Sequence, residues 1–310
     1  MKNSKSHIFK GTIYAILAGV LWAFSGVFGQ IFFEQYGGNA LWITTFRLTV
    51  AGIILLTISL IQKPSEFFSI WKDKKNYAPL FGYAIFGVLM VQLTFYACIQ
   101  VAGAATATVL QFTSPIFLLA YLAIFRRQKP NLKSLILVLI AMTGIFFLTT
   151  HGNISTMALS PLALLLGGLS AIAVVSYSLI PKRLLQTYDV MNVTGWGMII
   201  AGFVMNCVHP VWHLDFTLTT ESFLLALGVA VIGTAIAFMF NMSAIKYVSA
   251  IVAEICAAME PILAAVFSIF LFDMPFDAVV GISMLVTLVS VILLSLEEGK
   301  SWVIQITFGI

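Results

Sequence analysis

VLQFTSPIFLLAYLAIF, residues 109–125, and ICAAMEPILAAVFSIFL, residues 255–271, are two apolar runs 146 positions apart, with Pro115 in one falling on Pro261 in the other. Each approaches the roughly 20 apolar residues that a helix needs to cross a bilayer. The correspondence extends outward. Gly87 to Thr150 can be laid on Gly233 to Leu296 at the same offset without a gap. The segment from Trp22 to Val50 fits the second half at an offset of 152, matching Tyr36 to Tyr188, so the linker between the two blocks is six residues shorter in the second copy.

The rest of the chain has the same character. Of its 310 residues 61% are hydrophobic and 9% charged, with a mean hydropathy of +1.05, whereas a soluble domain carries about 25% charged residues. That composition excludes an ordinary water-soluble enzyme. Windows of about 19 residues place apolar spans near 11–33, 39–61, 77–99, 103–125, 133–150, 160–180, 191–212, 221–243, 248–271 and 278–296. Little sequence is left for an extramembrane catalytic domain. The first span follows Lys2, Lys5 and Lys10; it is too long for a signal-peptide core and reads as a retained helix.

Loop charge predicts an orientation. Fifteen of the sixteen Lys and Arg residues fall before span 1 or after spans 2, 4, 6, 8 and 10. The alternate loops hold Glu34, His151, His209, His213, Asp215, Glu221, Asp273 and Asp277, with no Lys or Arg. Basic residues near span ends stay cytoplasmic, so both termini are expected on that side. The net charge of +4 therefore has a topological explanation and does not point to nucleic acid. Cys98, Cys207 and Cys256 lie in apolar runs without a CxxC pair and read as small hydrophobes.

Five helices per copy is an odd number, so the second copy is expected upside down relative to the first. Inverted repeats are a recurring plan of secondary transporters, with the substrate site at the midplane between copies. Four stretches then resemble one family. AGVLWAFSGVFGQ at 18–30, TTFRLTVAGIILL at 44–56, FYACIQVAGAATATVLQFTSPIF at 95–117 and AIKYVSAIVAEICAAMEPILAAVFSIFLFD at 244–273 are similar to the EamA family of the drug/metabolite transporter superfamily, over about residues 10–296. The resemblance implies an all-α polytopic membrane protein of ten transmembrane helices. Its first EamA repeat would span 10–150 and its second 158–296, followed by a cytoplasmic tail, 297–310. It also implies movement of small metabolites or drugs, most often outward, in a bacterial cytoplasmic membrane. Two positions depart from internal symmetry: Ile199 matches Arg47, and Arg127 matches Asp273.

A charge at bilayer depth costs on the order of 2.5–3.5 kcal/mol, so an intramembrane ion is a functional candidate by default. Arg47 stands eight residues inside span 2, as a substrate ligand, as a fixed partner for a carboxylate or helix-end carbonyls, or as a side chain snorkelling outward. Glu254 and Glu260 lie in span 9. On a straight helix six residues turn about 600°, which would point them about 120° apart and away from any one narrow pocket. Glu254 shares a stripe with Ala257, Ala258, Pro261, Ala265 and Ser268 and is favoured for a functional role, including proton exchange; Glu260, in its Glu-Pro pair, reads as an internal lock. Pro115 and Pro261 are expected to break mid-helix bonds and free the carbonyls of Gln111 and Ala257 for a substrate ammonium or coupling ion. Thr108, Gln111 and Pro115 form one stripe, Gln92 and Tyr96 another. Trp22, Ser25, Gly26 and Gly29 share a face of span 1; Ser170 and Tyr177 of span 6 and Asn241 of span 8 complete the polar set.

No GxxxxGK[ST] loop, HExxH, GxSxG or GxGxxG is present, so neither ATP bound by this chain nor those hydrolytic or dinucleotide sites are expected. His209 and His213 are interrupted by Pro210 and read as an interfacial turn, not a metal site. The expectation is a transporter, not an enzyme, without cofactor or metal, working in a lipid bilayer on a small molecule by alternating access. An amino acid would put its carboxylate on Arg47 and its ammonium on Glu254; a cationic amine or quaternary ammonium compound held by aromatic faces and a carboxylate is the rival. An intramembrane lipid-modifying enzyme is more distant, since no nucleophile–base pair accompanies these residues.

Overall fold

The computed structural model describes residues 2–127, 131–150, 152–153, 159–271 and 277–308, and the side chains of these except at 2–6, 105, 149, 264, 265, 268, 269, 271 and 295–308. Lys129, His151 and Asp273 lie outside the described residues, as do the side chains of Lys2, Lys5, Ala265, Ser268 and Lys300.

The described elements are helical: α1 (Lys2–Tyr36), α2 (Ala40–Gln62), α3 (Lys74–Ala104), α4 (Thr106–Phe125), α5 (Leu132–Thr150), α6 (Pro161–Thr187), α7 (Val190–Val208), α8 (Thr220–Tyr247), α9 in two pieces (Ala250–Cys256 and Met259–Leu271) and α10 (Ala278–Phe308). Among the described residues, α1–α4 and α6–α8 are each long and apolar enough to cross a membrane, and α5 and α10 add shorter apolar stretches. The protein is thus an all-helical polytopic membrane protein. Polar residues set its boundaries. Asn39 caps α2 through Trp42 N, Ser160 caps α6 with Pro161 behind it, Asp189 caps α7, Thr219 and Ser222 form a capping box on α8, and Ser249 caps α9. Each cap satisfies N–H groups that lack an intrahelical acceptor. Gly103, at φ +80°, makes the joint between α3 and α4, a backbone conformation that side chains disfavour. The segment 297–308, expected as a separate tail, continues α10 as helix.

The two halves interlock. α2 packs on α7 and α5 on α10, while α1 packs on α8 of the other half and α6 on α3. In lipid such contacts rest on close van der Waals approach rather than on a hydrophobic driving force. Two glycines at equivalent positions serve this purpose. Gly87 lies against the backbone of Tyr177, and Gly233 against Ser25, leaving no room for a β-carbon at either. Both sit in π turns, Tyr83–Leu89 of α3 and Val231–Ile236 of α8. The fourth helix of each half is also interrupted within one residue of equivalent places, α4 at Phe112–Thr113 and α9 at Ala257–Ala258. Phe112 and Ala257, at these two interruptions, line a cavity, a setting in which non-helical backbone at membrane depth is tolerated.

Candidate functional site

The interruptions change where the prolines act. Pro115 is the second residue of the piece beginning at Ser114, and Pro261 the third of the piece beginning at Met259. In a first turn a missing N–H removes nothing, because those donors have no intrahelical acceptor. The Ala257 carbonyl is not freed, contrary to the straight-helix expectation: it accepts from the backbone N–H of Glu260 at 2.9 Å. It also packs against Gly19 of α1, where a β-carbon would stand 2.7 Å from its oxygen.

The break of α9 equally removes the 120° separation expected for Glu254 and Glu260. Both residues line one chamber, together with Gln111, Ser114, Trp22 and Tyr177. An adjoining chamber shares Trp22, Gln111, Tyr177 and Glu260 and adds Ser25, Arg47, Gln92 and Tyr96, with Phe95 and Phe238 as apolar wall. The structure therefore brings together residues from α1, α2, α3, α4, α6, α8 and α9. Thr108, Asn241, Pro115 and Pro261 are buried but outside both walls. The stripe of Thr108, Gln111 and Pro115 is not continuous because α4 is interrupted between its last two members.

Arg47 is 2% exposed and does not snorkel. Its Nε donates to Thr234 Oγ1 at 2.7 Å and its Nη2 to the Gly233 carbonyl at 3.2 Å, both in the π turn of α8. The Thr234 hydroxyl in turn donates to the Val229 carbonyl. The guanidinium lies 4.4 Å from the centroid of the Tyr96 ring, a cation–π arrangement, and the Tyr96 hydroxyl donates to the Ser25 carbonyl. One donor remains: Arg47 Nη1 has no partner among the described residues, and neither does Gln92 Nε2. Gln111, by contrast, donates to Ser170 Oγ at 2.7 Å.

The two carboxylates differ in the same way. Glu254 accepts from Ser178 Oγ on one oxygen at 3.1 Å and from Ser114 Oγ on the other at 3.3 Å. Glu260, 7% exposed, has no hydrogen bond to its carboxylate within the described residues, and no ion pair within 4.0 Å ties it to Arg47. Ser114 and Ser178 were not singled out from the sequence. A signal existed: at the two repeat offsets Ser114 matches Glu260 and Ser178 matches Gly26, both of which line the cavity.

At the Lys- and Arg-free end, the loop after α7 is tied to the start of α2. Asp215 accepts from Asn39 Nδ2 and His209 Nε2 at 2.8 Å each and meets His213 Nε2 at 3.1 Å. The His209 hydrogen bond, more than any other contact, holds the Asp215 carboxyl below its ordinary value. Among the described residues no group of three or more His, Cys, Asp or Glu is placed to hold a metal.

Known proteins of similar sequence share this plan. The profile of the EamA-like transporter family matches residues 9–150 and again 161–296. An inner membrane transporter of Salmonella typhimurium strain LT2, named YicL and described as uncharacterized, is 35% identical over 291 residues, covering 94% of this chain and 97% of its own. An uncharacterized transporter of Methanothermobacter thermautotrophicus is 23% identical over 298 residues, 92% of this chain and 85% of its own. A solved crystal structure of a protein 13% identical in sequence superposes with a TM-score of 0.76 over 94% of this chain and 98% of its own, a likeness of fold. Two tandem profile matches across nearly the whole chain, on a helical bundle with a cavity between its halves, make this protein a member of the EamA-like transporter family.

Proposed function

We propose that the protein is a secondary transporter that carries a small zwitterion of the amino-acid type outward across a cytoplasmic membrane, with both termini on the cytoplasmic side, by alternating access to the cavity. The observation that carries this reading is the set of buried groups left unpaired around one space: the donors Arg47 Nη1 and Gln92 Nε2 and the carboxylate of Glu260. A buried polar group without a partner costs on the order of 1–3 kcal/mol, a cost relieved when a ligand supplies the missing partner. A carboxylate between Arg47 and Gln92 and an ammonium at Glu260 would satisfy all three. Glu260 thus replaces Glu254 as the first ammonium ligand in this reading, because Glu254 already holds two serine hydroxyls.

Thermal-shift binding on detergent-solubilised protein tests it, since a ligand of the folded state raises Tm. Amino acids are expected to raise Tm in the wild type and not in Gln92→Leu or Glu260→Gln. A rival reading as a carrier of cationic amines draws on the Trp22, Tyr177 and Phe238 faces; it predicts shifts by amines that survive Gln92→Leu.

A further inference from the structure

We infer that the substrate carries a second positive group, one carboxylate and two amines with a net charge of +1. This rests on the zwitterion reading above and names the class of zwitterion. Among the described residues, the walls of the two chambers contain three that are charged in their usual ionisation states, Arg47, Glu254 and Glu260, and no other Lys, Arg, Asp, Glu or His. All three are more than nine-tenths buried. Their formal sum is −1. Charge enclosed at membrane depth is costly unless it is balanced, and with a neutral amino acid bound the second carboxylate would have to take up a proton to become neutral. A substrate of net charge +1 removes the imbalance.

The order of the groups along the cavity matches such a molecule. Arg47 and Gln92 line the larger chamber alone, Glu260 lines both, and Glu254 lines the smaller chamber alone. A carboxylate at the first pair places the α-ammonium at Glu260 and a side-chain ammonium at Glu254, with the connecting methylenes between Trp22, Val174 and Tyr177, which border both chambers. Glu254 is prepared for this role. Each of its oxygens has one serine hydroxyl within hydrogen-bond distance, and an ionised carboxylate, with about four acceptor sites, would keep about two for an incoming ammonium. The serines hold the group in place without using up its capacity.

The experiment compares L-lysine and L-ornithine with L-norleucine and L-norvaline, which lack the second amine, and with cadaverine, which lacks the carboxylate. Binding is read by thermal shift on the purified full chain and flux by counterflow in proteoliposomes. The diamino acids are expected to bind about tenfold to a hundredfold more tightly than the neutral analogues, the usual range for a hydrogen-bonded charge, and to be transported. Glu254→Gln is expected to lower affinity for lysine and raise it for norleucine, a reversal that loss of fold would not produce. Equal affinity for lysine and norleucine in the wild type overturns this inference and leaves the zwitterion reading standing. So does neutral amino-acid binding that requires added sodium or protons. Cadaverine binding as tightly as lysine, in wild type and Gln92→Leu alike, overturns both readings, as does a lack of binding by all five probes.

Discussion

Gln92 and Arg47 present the same feature, an unsatisfied buried donor on a residue that lines the cavity, in two settings. Gln92 makes no bond with its Nε2, so Gln92→Leu removes a buried polar atom and creates no orphan. Its Tm is expected to stay level or rise by the equivalent of about 1 kcal/mol, while amino-acid binding weakens about tenfold or more. A gain in stability coupled to loss of binding is the mark of a group held for a ligand; unchanged binding would remove Gln92 from the site. Arg47 serves two purposes at once. Arg47→Lys keeps the charge but cannot supply bonds from separate nitrogens to Thr234 and Gly233 or the guanidinium contact with the Tyr96 ring. It is expected to lose both stability, by about 1–3 kcal/mol, and binding, as read by Tm with and without ligand. Arg47 was recognisable from its position inside an apolar run; its partners were not, because Thr234 and Gly233 lie 187 and 186 residues away in sequence.

Among the elements, regular helices were easily read and interrupted ones were not. Apolar runs of membrane length mark the spans, and capping residues such as Asn39, Asp189 and Thr219 stand where the helices begin. The offset of 146 pairs Gly87 with Gly233 and anticipates that α3 and α8 are built alike. Hydropathy carries no sign of a π turn, however, and a proline in an apolar run is compatible with a kink or with the first turn of a new piece. The straight-helix assumption therefore misplaced Glu254 relative to Glu260 and freed a carbonyl that is in fact bonded. Gly233→Ala tests the close approach at the α8 π turn. A β-carbon there collides with Ser25, pushing α1 from α8 and disturbing the Gly233 carbonyl that holds Arg47. A loss of about 1–3 kcal/mol in stability is expected, with binding weakened in parallel; a substitution that leaves both untouched would show that the approach is not tight.

For the molecule as a whole, alternating access requires that the ends of the bundle open in turn. At the Lys- and Arg-free end aromatic rings pack into a plug in this structure. Phe216 packs on Phe32 and Trp42 with ring centroids 5.0 and 4.9 Å apart, Trp42 stacks on Phe46, and Phe33 meets Tyr96, which lines the cavity. The loop after α7 holds this plug through Trp42 Nε1 to the Val211 carbonyl, Thr45 Oγ1 to the His209 carbonyl and Asn39 to Asp215. Because the folded Asp215 carboxyl is held below its ordinary value, its contribution to the closure is present above the free carboxylate value of about 3.9 and is lost as pH falls through the lower folded value. The Tm difference between wild type and Asp215→Asn is accordingly expected to shrink below about pH 4. A direct test joins the two sides of the closure. With Cys98, Cys207 and Cys256 replaced by alanine, Asn39→Cys and Asp215→Cys are bridged by a short, reducible dithiol-reactive linker, which suits side chains that meet at 2.8 Å between their tips better than a direct disulfide, whose β-carbons must approach to about 4 Å. If this end opens in each cycle, bridging abolishes counterflow, reduction restores it, and ligand binding to the sealed cavity changes in rate more than in the number of sites. Undiminished flux through fully bridged protein would place the route of the substrate elsewhere.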